Sequence, residues 1–176
     1  LDARGRPYVV FEALRGKTLS TLVGRPFETG RAARIVVQIL EALRELHDAG
    51  VVLRCLSPAD VVIEPVSGGA ELVKLRGVRG AALAIDGGAE PLGVAGSGAY
   101  VAPELRRGEL GLDPRVDVFS VGVMLREMLT GSTRGDVGAL PELAVRAIAR
   151  ACAEDPDERF ASADGFLQAA ALLLPT

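Results

Sequence analysis

The sequence predicts one mainly α-helical domain with a few short strands. Apolar residues recur at three- and four-residue steps over residues 32–48, which is the period of an amphipathic helix. After Asp113 the chain is apolar around most of a second long helix, a pattern typical of a central one. Short β-branched runs occur only in the first half. The 176 residues are 49% hydrophobic, enough for one sizeable core.

The first predicted strand is a run of four residues with high β propensity, Tyr8, Val9, Val10 and Phe11. Residues 16–18, which begin with Gly16, predict a turn. The long helix follows over residues 32–48, and Gly50 ends it.

Three further β-branched runs lie at residues 51–52, 61–63 and 72–75. Ser67-Gly68-Gly69 separates the last two, and this turn chemistry predicts that they pair as a hairpin. Residues 77–98 are rich in Gly and Ala without periodicity, so they predict a long surface loop.

The second half predicts three helices. Asp113-Pro114 starts the central one, since the carboxylate can accept from first-turn amides and proline suits the first helical position. Gly131 ends it. Residues 141–152 and 162–174 predict two more helices, joined by a polar turn at 154–157.

Charge and composition exclude several classes of function. A net charge of −3 disfavours a nucleic-acid partner or an anionic membrane surface. The chain has two cysteines, Cys55 and Cys152, which predicts free thiols in a reducing, cytoplasmic compartment. The last apolar stretch is too short to span a bilayer, so no membrane contact is expected within this chain. A start at Leu1 rather than Met suggests a piece of a longer protein.

Five blocks carry a family resemblance: "YVVFEALRG", "ALRELHDAGVVLRCLSPADVVI", "GSGAYVAPELRRG", "DPRVDVFSVGVMLREMLTG" and "ACAEDPDERFASADGFL". In this order they resemble the carboxy-terminal lobe of a eukaryotic-type, bacterial Ser/Thr protein kinase, over nearly the whole chain. The first block resembles the last small-lobe strand and the hinge. The resemblance implies residues 1–15 as a residual small-lobe strand and hinge, and residues 16–176 as a kinase-like lobe.

The resemblance also implies structural roles. Glu104 is expected to pair with Arg159, and Asp117 to hold the backbone of the catalytic loop. Val62, Met124 and Met128 match positions beneath the nucleotide base; for the methionines, ordinary core packing is the alternative.

The catalytic residues of the family are missing. Where the family has His-Arg-Asp-x-Lys-Pro-x-Asn, this chain has Leu53, Arg54, Cys55, Leu56, Ser57, Pro58, Ala59 and Asp60. At the metal-binding Asp-Phe-Gly it has Gly77, Val78 and Arg79, and no acidic residue occurs between Glu71 and Asp86. Phosphoryl transfer depends on charge neutralisation by metals and lysine. We therefore expect neither catalysis, nor a metal, nor a nucleotide cofactor.

Two family features have no room in this chain. Seven residues precede Tyr8, too few for a small lobe, and the two lysines, Lys17 and Lys74, lie elsewhere. The segment between Gly131 and Pro141 is too short for the substrate-docking helix. Both are therefore expected to be absent.

Two residues keep alternative interpretations. Cys55 is either a nucleophile or a quiet, partly buried thiol. Arg54 either pairs with a neighbouring carboxylate or carbonyl, or meets a phosphorylated Ser97 or Tyr100, as the family's arginine meets its activation loop.

The leading interpretation is a pseudokinase lobe that acts as a scaffold or regulator in signalling. The strand from Tyr8 to Phe11 would present an unpaired edge, which invites a protein partner or self-association. The alternative is part of a Ser/Thr kinase that retains weak ATP binding or transfer, and a third possibility is a stable relic that spaces other domains.

Overall fold

The structure, a computed structural model, describes residues 12–76, 82–83, 98–109 and 113–175. The described residues form a mainly helical fold, as predicted. The helices are α1 (Thr29–Asp48), α2 (Pro103–Arg106), α3 (Arg115–Thr130), α4 (Glu142–Ala151) and α5 (Ala163–Ala171). The strands are β1 (Lys17–Thr18), β2 (Val51–Val52), β3 (Val61–Pro65), β4 (Glu71–Leu75) and β5 (Ala82–Leu83). The predicted strand Tyr8–Phe11 lies outside the described residues.

Helix α1 begins three residues before the prediction because Glu28 caps it. The Glu28 carboxylate accepts from the amides of Gly30 at 2.7 Å and Arg31 at 2.8 Å. These hydrogen bonds lower the pKa of Glu28, as expected for a carboxylate at a helix N-terminus. The helix ends at Asp48, and Gly50 follows with a left-handed φ of 76°.

The predicted hairpin is confirmed. β3 and β4 pair antiparallel, with Val61 opposite Leu75 and Pro65 opposite Glu71. Gly68 and Gly69 have φ of 80° and 79°, conformations that glycine adopts without strain.

The prediction of a turn at residues 16–18 was wrong for the last two. Lys17 and Thr18 form β1, which pairs with Ile63 and Val62 at the free side of β3. Gly16 permits this because a Cβ there would lie 2.3 Å from the Ile63 carbonyl oxygen. Only glycine lets the two backbones approach so closely.

The outer edge of the three-stranded sheet is closed by α1. Gln38 Oε1 accepts from the amide of Val73 at 3.0 Å, and its Nε2 donates to the carbonyl of Glu71 at 3.1 Å. Arg31 adds a bidentate contact with the Glu71 carboxylate at 2.8 and 3.0 Å. A helix side chain thus replaces the neighbour strand that β4 lacks on this side.

The predicted surface loop at residues 77–98 contains a strand that the sequence reading missed. β5 pairs with β2, with Val51 opposite Leu83 and Val52 opposite Ala82. The rest of that loop, up to residue 97, lies outside the described residues.

Helix α3 is the centre of the fold, as predicted. It begins at Arg115, one residue after the predicted start, and Asp113 accepts from the Arg115 amide at 2.9 Å. Its fully or nearly buried residues are Val116, Asp117, Val118, Phe119, Ser120, Val121, Gly122, Val123, Met124, Leu125, Met128 and Leu129. Gly131 ends it with φ of 78°.

The last two helices are shorter than predicted. α4 lacks the predicted end residues Pro141 and Cys152, and α5 stops at Ala171 in place of residue 174. The Ser162 hydroxyl caps α5 by accepting from Gly165 N at 3.2 Å. Residues 132–141 contain turns and no helix. Among the described helices, none is both long and apolar enough to cross a membrane.

Candidate functional site

The loop that follows β2 is held from below by a buried carboxylate on α3. Asp117 is 0% exposed and accepts from the amides of Leu53 at 2.9 Å and Arg54 at 2.8 Å. His47, at the end of α1, completes the arrangement with Nε2 2.9 Å from Asp117 Oδ2. The Asp117 carboxylate therefore accepts from two backbone amides of the loop and connects the loop to α3 and, through His47, to α1.

Arg54 has an unusual backbone conformation. Its φ is 68°, the only positive φ of a non-glycine residue among those described. The left-handed conformation costs about 1–2 kcal/mol for an L-residue. The hydrogen bond from the Arg54 amide to Asp117 offsets that cost, so the loop keeps a shape that its own sequence does not favour.

Ser57 and Asp60, on either side of Pro58 and Ala59, are hydrogen-bonded to each other. Asp60 Oδ2 accepts from the Ser57 amide at 3.0 Å and from the Ser57 hydroxyl at 2.7 Å. The Asp60 amide in turn donates to the Ser57 carbonyl at 2.9 Å. This capping box uses one carboxylate oxygen of Asp60 for local structure.

The Cys55 thiol is held in its neutral form. Partial burial raises its pKa, and the nearby carboxylates of Asp60 and Asp117 raise it further, against a smaller opposite effect of Arg54. A thiolate is the nucleophilic form of cysteine. The histidine is not available to activate it, because His47 is bonded to Asp117. The geometry thus favours a quiet thiol over a nucleophile.

The structure brings Glu104 and Arg159 together. The guanidinium makes a bidentate pair with the carboxylate, at 2.6 Å from Nη1 and 2.8 Å from Nη2. It also donates to the carbonyls of Ala153, Arg115 and Glu154, at 2.8, 3.2 and 3.1 Å. Burial alone would raise the pKa of Glu104, but the hydrogen bonds from Arg159 lower it overall.

A buried tyrosine neighbours this pair in sequence. Tyr100 OH donates to Glu127 on α3 at 2.5 Å, and burial followed by this bond raises the pKa of Tyr100 well above its usual range. Ser120 donates to the Tyr100 carbonyl at 2.8 Å. Ser97, named with Tyr100 in one of the two interpretations of Arg54, lies outside the described residues.

Three residues match the positions beneath the nucleotide base in the family: Val62, Met124 and Met128. The two methionines lie in a different environment from Val62. Met124 and Met128 are 0% exposed and belong to the main core. Val62 is also buried, at 2% exposure, but it lies outside that core, on the side of the sheet that carries its cross-strand partner Lys74. The methionines therefore have the core packing that was their alternative interpretation.

The sequence reading missed a charged cluster on that same side. Lys74 Nζ lies 2.6 Å from Glu12 Oε1 and 3.7 Å from Glu64 Oε2. The Arg15 amide donates to Glu64 Oε1. The predicted hairpin was the signal that could have found this side of the cluster. Its antiparallel register places Lys74 opposite Val62, and residues opposite each other in a sheet lie on one face.

Comparison with known proteins identifies the family. The protein kinase domain family matches residues 2–159. This chain belongs to the protein kinase domain family. Serine/threonine-protein kinase pkn3 of Myxococcus xanthus is 34% identical over 72% of this chain and 24% of the relative. Pkn1 of the same organism is 31% identical over 93% of this chain and 27% of the relative. PknJ of Mycobacterium tuberculosis is 32% identical over 93% and 30%.

A solved structure shares the fold of this kinase-family chain. The crystal structure of the Rad53 kinase domain and SCD2 in complex with AMPPNP matches with a TM-score of 0.68 and 24% identity. The match covers 89% of this chain and 65% of that one. Since the chain spans about a quarter of the length of its curated relatives, only the family and the kinase-like fold carry over directly.

The comparisons favour the kinase interpretation of the sequence over the inactive scaffold. The three relatives named above all carry the words serine/threonine-protein kinase, and none of the matches bears on loss of activity. The structure of the degenerate positions Gly77, Val78 and Arg79 lies outside the described residues.

The described residues do not fit a metal-bound triphosphate as kinases hold one. Divalent magnesium prefers carboxylate and amide oxygens. In the loop from Leu53 to Asp60 the only side chain with a carboxylate or amide oxygen is that of Asp60. Ser57 already donates to one of its two oxygens. Position 57 has a hydroxyl where the family has a phosphate-binding lysine. In the described part of the chain, no group of three or more His, Cys, Asp or Glu residues could hold a metal.

Proposed function

We propose that this kinase-family chain acts by binding, as a pseudokinase scaffold or regulator in signalling, and does not transfer phosphate. One observation carries the proposal. At the position of the catalytic lysine and the metal-binding amide, Ser57 and Asp60 bond each other and close the loop. The loop therefore has no lysine at position 57 for the phosphates and no free ligand pair for a metal.

The position of the catalytic base supports the same proposal. Cys55 stands there with a raised pKa, and a neutral thiol is a poor acceptor for a hydroxyl proton. A positioned base contributes roughly 10²- to 10⁴-fold to rate. Loss of base, lysine and metal ligands together leaves little of the catalytic machinery.

The supports of the loop remain. Asp117 and the Glu104–Arg159 pair are buried and fully engaged, so the lobe keeps a defined surface without the reaction. A rigid surface lowers the entropic cost of binding a partner. This combination suits a binding role.

A second candidate is a Ser/Thr protein kinase that retains ATP binding or transfer. Two observations favour it: the curated relatives bear kinase names, and the Arg54 backbone is held in its strained conformation by Asp117. Strained backbone is often kept at functional sites. Transfer would then depend on groups that differ from those of the family.

The two candidates are separated by titrating the chain with ATP or ADP, with and without Mg²⁺, and following the melting temperature. We expect no shift, and no transfer of labelled γ-phosphate to the chain itself or to a generic protein substrate. A metal-dependent rise in melting temperature, or incorporation of label, would establish the second candidate in place of the first.

A matched variant examines the reason for the expected result. Ser57→Lys restores the phosphate-binding cation, removes the hydroxyl bond to Asp60 and leaves the buried supports in place. If missing charge is the cause, this variant should gain nucleotide affinity that the wild type lacks. Ser57→Ala is the control, because it removes the same hydroxyl bond without adding a charge.

The partner proposed for this chain is another protein or a second copy. The β-rich run from Tyr8 to Phe11 is the sequence feature that supports it. Deleting residues 1–11 should abolish self-association or partner capture if the run is the contact, and leave both unchanged if it is not. A cytoplasmic location, without nucleic-acid or membrane contact in this chain, is part of the same proposal; among the described cysteines both are free thiols.

A further inference from the structure

Arg76, the residue that follows β4, makes two hydrogen bonds to the loop from Leu53 to Asp60. Its backbone amide donates to the Asp60 carbonyl at 2.7 Å. Its side-chain Nε donates to the Ala59 carbonyl at 3.0 Å. One residue at the end of the hairpin therefore binds two consecutive carbonyl groups of the loop, one through the backbone and one through the guanidinium.

The two carbonyl groups lie in a part of the loop that needs donors from elsewhere. Pro58–Asp60 is a 3₁₀ helix of three residues, and the last carbonyl groups of a helix have no partner within it. An arginine side chain close to the end of a helix can donate to these carbonyl groups. Arg76 thus supplies donors that this short helix cannot supply itself.

The bonds of Arg76 join two parts of the chain that metal ions join in an active kinase. By family resemblance, position 60 has the metal-binding amide and position 77 the metal-binding carboxylate. This chain has Asp60 at the first position and Gly77 at the second, and glycine has no side chain to bind a metal. Arg76 directly precedes Gly77 and connects the end of β4 to the loop without an ion.

We infer that Arg76 takes over the structural part of the metal's role and keeps the end of the loop in place without a divalent cation. The hydrogen bonds between Ser57 and Asp60 depend on the position of the same loop end. Loss of the Arg76 side chain should therefore loosen these bonds, whereas addition or removal of magnesium should not. If the chain acts by binding, as proposed above, its partner meets the same loop surface whether or not magnesium is present.

Hydrogen exchange of the Ser57 and Asp60 amides tests the inference. The first amide donates to Asp60 Oδ2 and the second to the Ser57 carbonyl. Arg76→Leu removes the guanidinium at an exposed position and keeps the backbone amide that bonds the Asp60 carbonyl. We expect both reporter amides to exchange about two- to ten-fold faster in this variant, the range for the loss of one hydrogen bond.

Two controls distinguish this effect from a general loosening. Arg146→Leu removes another exposed arginine, which pairs with Glu142 on α4, and should leave the reporter amides unchanged. The Val73 amide, which donates to Gln38, reports on β4 itself and should keep its wild-type rate in Arg76→Leu. An equal increase at Val73 would show that the whole hairpin has loosened and would overturn the specific role of Arg76. Unchanged exchange of the reporter amides would overturn it as well.

A second measurement examines the metal. The exchange experiment is repeated on the wild type in excess magnesium chloride and in EDTA, without nucleotide. We expect equal rates at Ser57 and Asp60 in the two conditions. Slower exchange in magnesium would mean that a metal still orders the loop, and would contradict the inference.

These outcomes are separate from those of the proposed function, which is tested with nucleotide and labelled phosphate. A chain that binds ATP could still depend on Arg76 for its loop end, and a chain without affinity for ATP could show no effect of Arg76→Leu. The two proposals therefore fail on different measurements.

Discussion

The loop from Leu53 to Asp60 matches the catalytic loop of the family, and its two sides differ. The residues that support it from the buried side match those of the family more closely than the residues on its outward side do. On the underside, Asp117 makes three hydrogen bonds and Arg159 pairs bidentately with Glu104. On the outward side, Cys55 and Ser57 occupy positions where the family has an acid and a lysine. The loop thus keeps its buried supports, while the residues at these outward positions differ from those of the family.

The difference shows which side chains the fold depends on. Removing one partner of a buried ion pair leaves an uncompensated charge, whereas an exposed charge contributes little to stability. The buried groups are consequently constrained by folding alone. The outward groups contribute less to folding, so they can change at a smaller cost in stability.

Arg159→Ala should produce the largest effect. It leaves Glu104 buried without a partner and frees the carbonyl of Ala153, so we expect a loss of about 3–5 kcal/mol in the free energy of unfolding. Urea denaturation measures it. Arg146→Ala, which removes an exposed pair with Glu142, is the control and should cost under about 0.5 kcal/mol. A similar decrease in the free energy of unfolding for the two variants would mean that the buried pair contributes no more to stability than the exposed one.

Asp117→Asn should have the next largest effect. The amide nitrogen of Asn would face one of the two backbone donors, Leu53 or Arg54, and leave it unsatisfied. An unsatisfied buried group costs about 1–3 kcal/mol. We expect that loss in denaturation and faster hydrogen exchange at Arg54. Unchanged exchange at Arg54 would show that the loop holds its positive φ without Asp117.

Acid should weaken the buried pair progressively. Because the folded pKa of Glu104 lies below its ordinary value of 4.5, its contribution is complete above that value and is lost as the pH falls through the folded pKa. In urea titrations between pH 7 and pH 3, the midpoint should fall less steeply for Glu104→Gln than for the wild type. Parallel slopes would contradict this role for Glu104.

Ser57→Ala should produce the smallest effect. It removes one side-chain hydrogen bond of the capping box and keeps the Ser57 amide bond to Asp60, so the expected loss is about 1 kcal/mol. Denaturation alongside Asp117→Asn gives the comparison. A loss larger than that of Asp117→Asn would reverse the ranking of the two sides of the loop.

Periodicity was sufficient to predict the elements that bury an apolar face. The steps over residues 32–48 predicted α1, and Ser67-Gly68-Gly69 between two β-branched runs predicted the β3–β4 hairpin. The apolar sequence after Asp113 predicted α3 as the central helix. In each case the signal is local, because a turn or a helical period can be recognised from residues that are close together in sequence.

Pairings between distant residues were not predictable from residue patterns alone. β1 and β5 are two residues long and gain their hydrogen bonds from β3 and β2, far along the chain. Likewise, Lys74 and Glu12 meet only because the hairpin register fixes where Lys74 lies. The Glu104–Arg159 contact was expected from family resemblance rather than from any local pattern.

The Gln38 side chain has a consequence for how this molecule behaves at high concentration. By bonding the Val73 amide and the Glu71 carbonyl, it occupies the backbone groups through which another molecule's strand would add to β4. Stacking of copies into a continuous cross-molecular sheet is thereby blocked on that side.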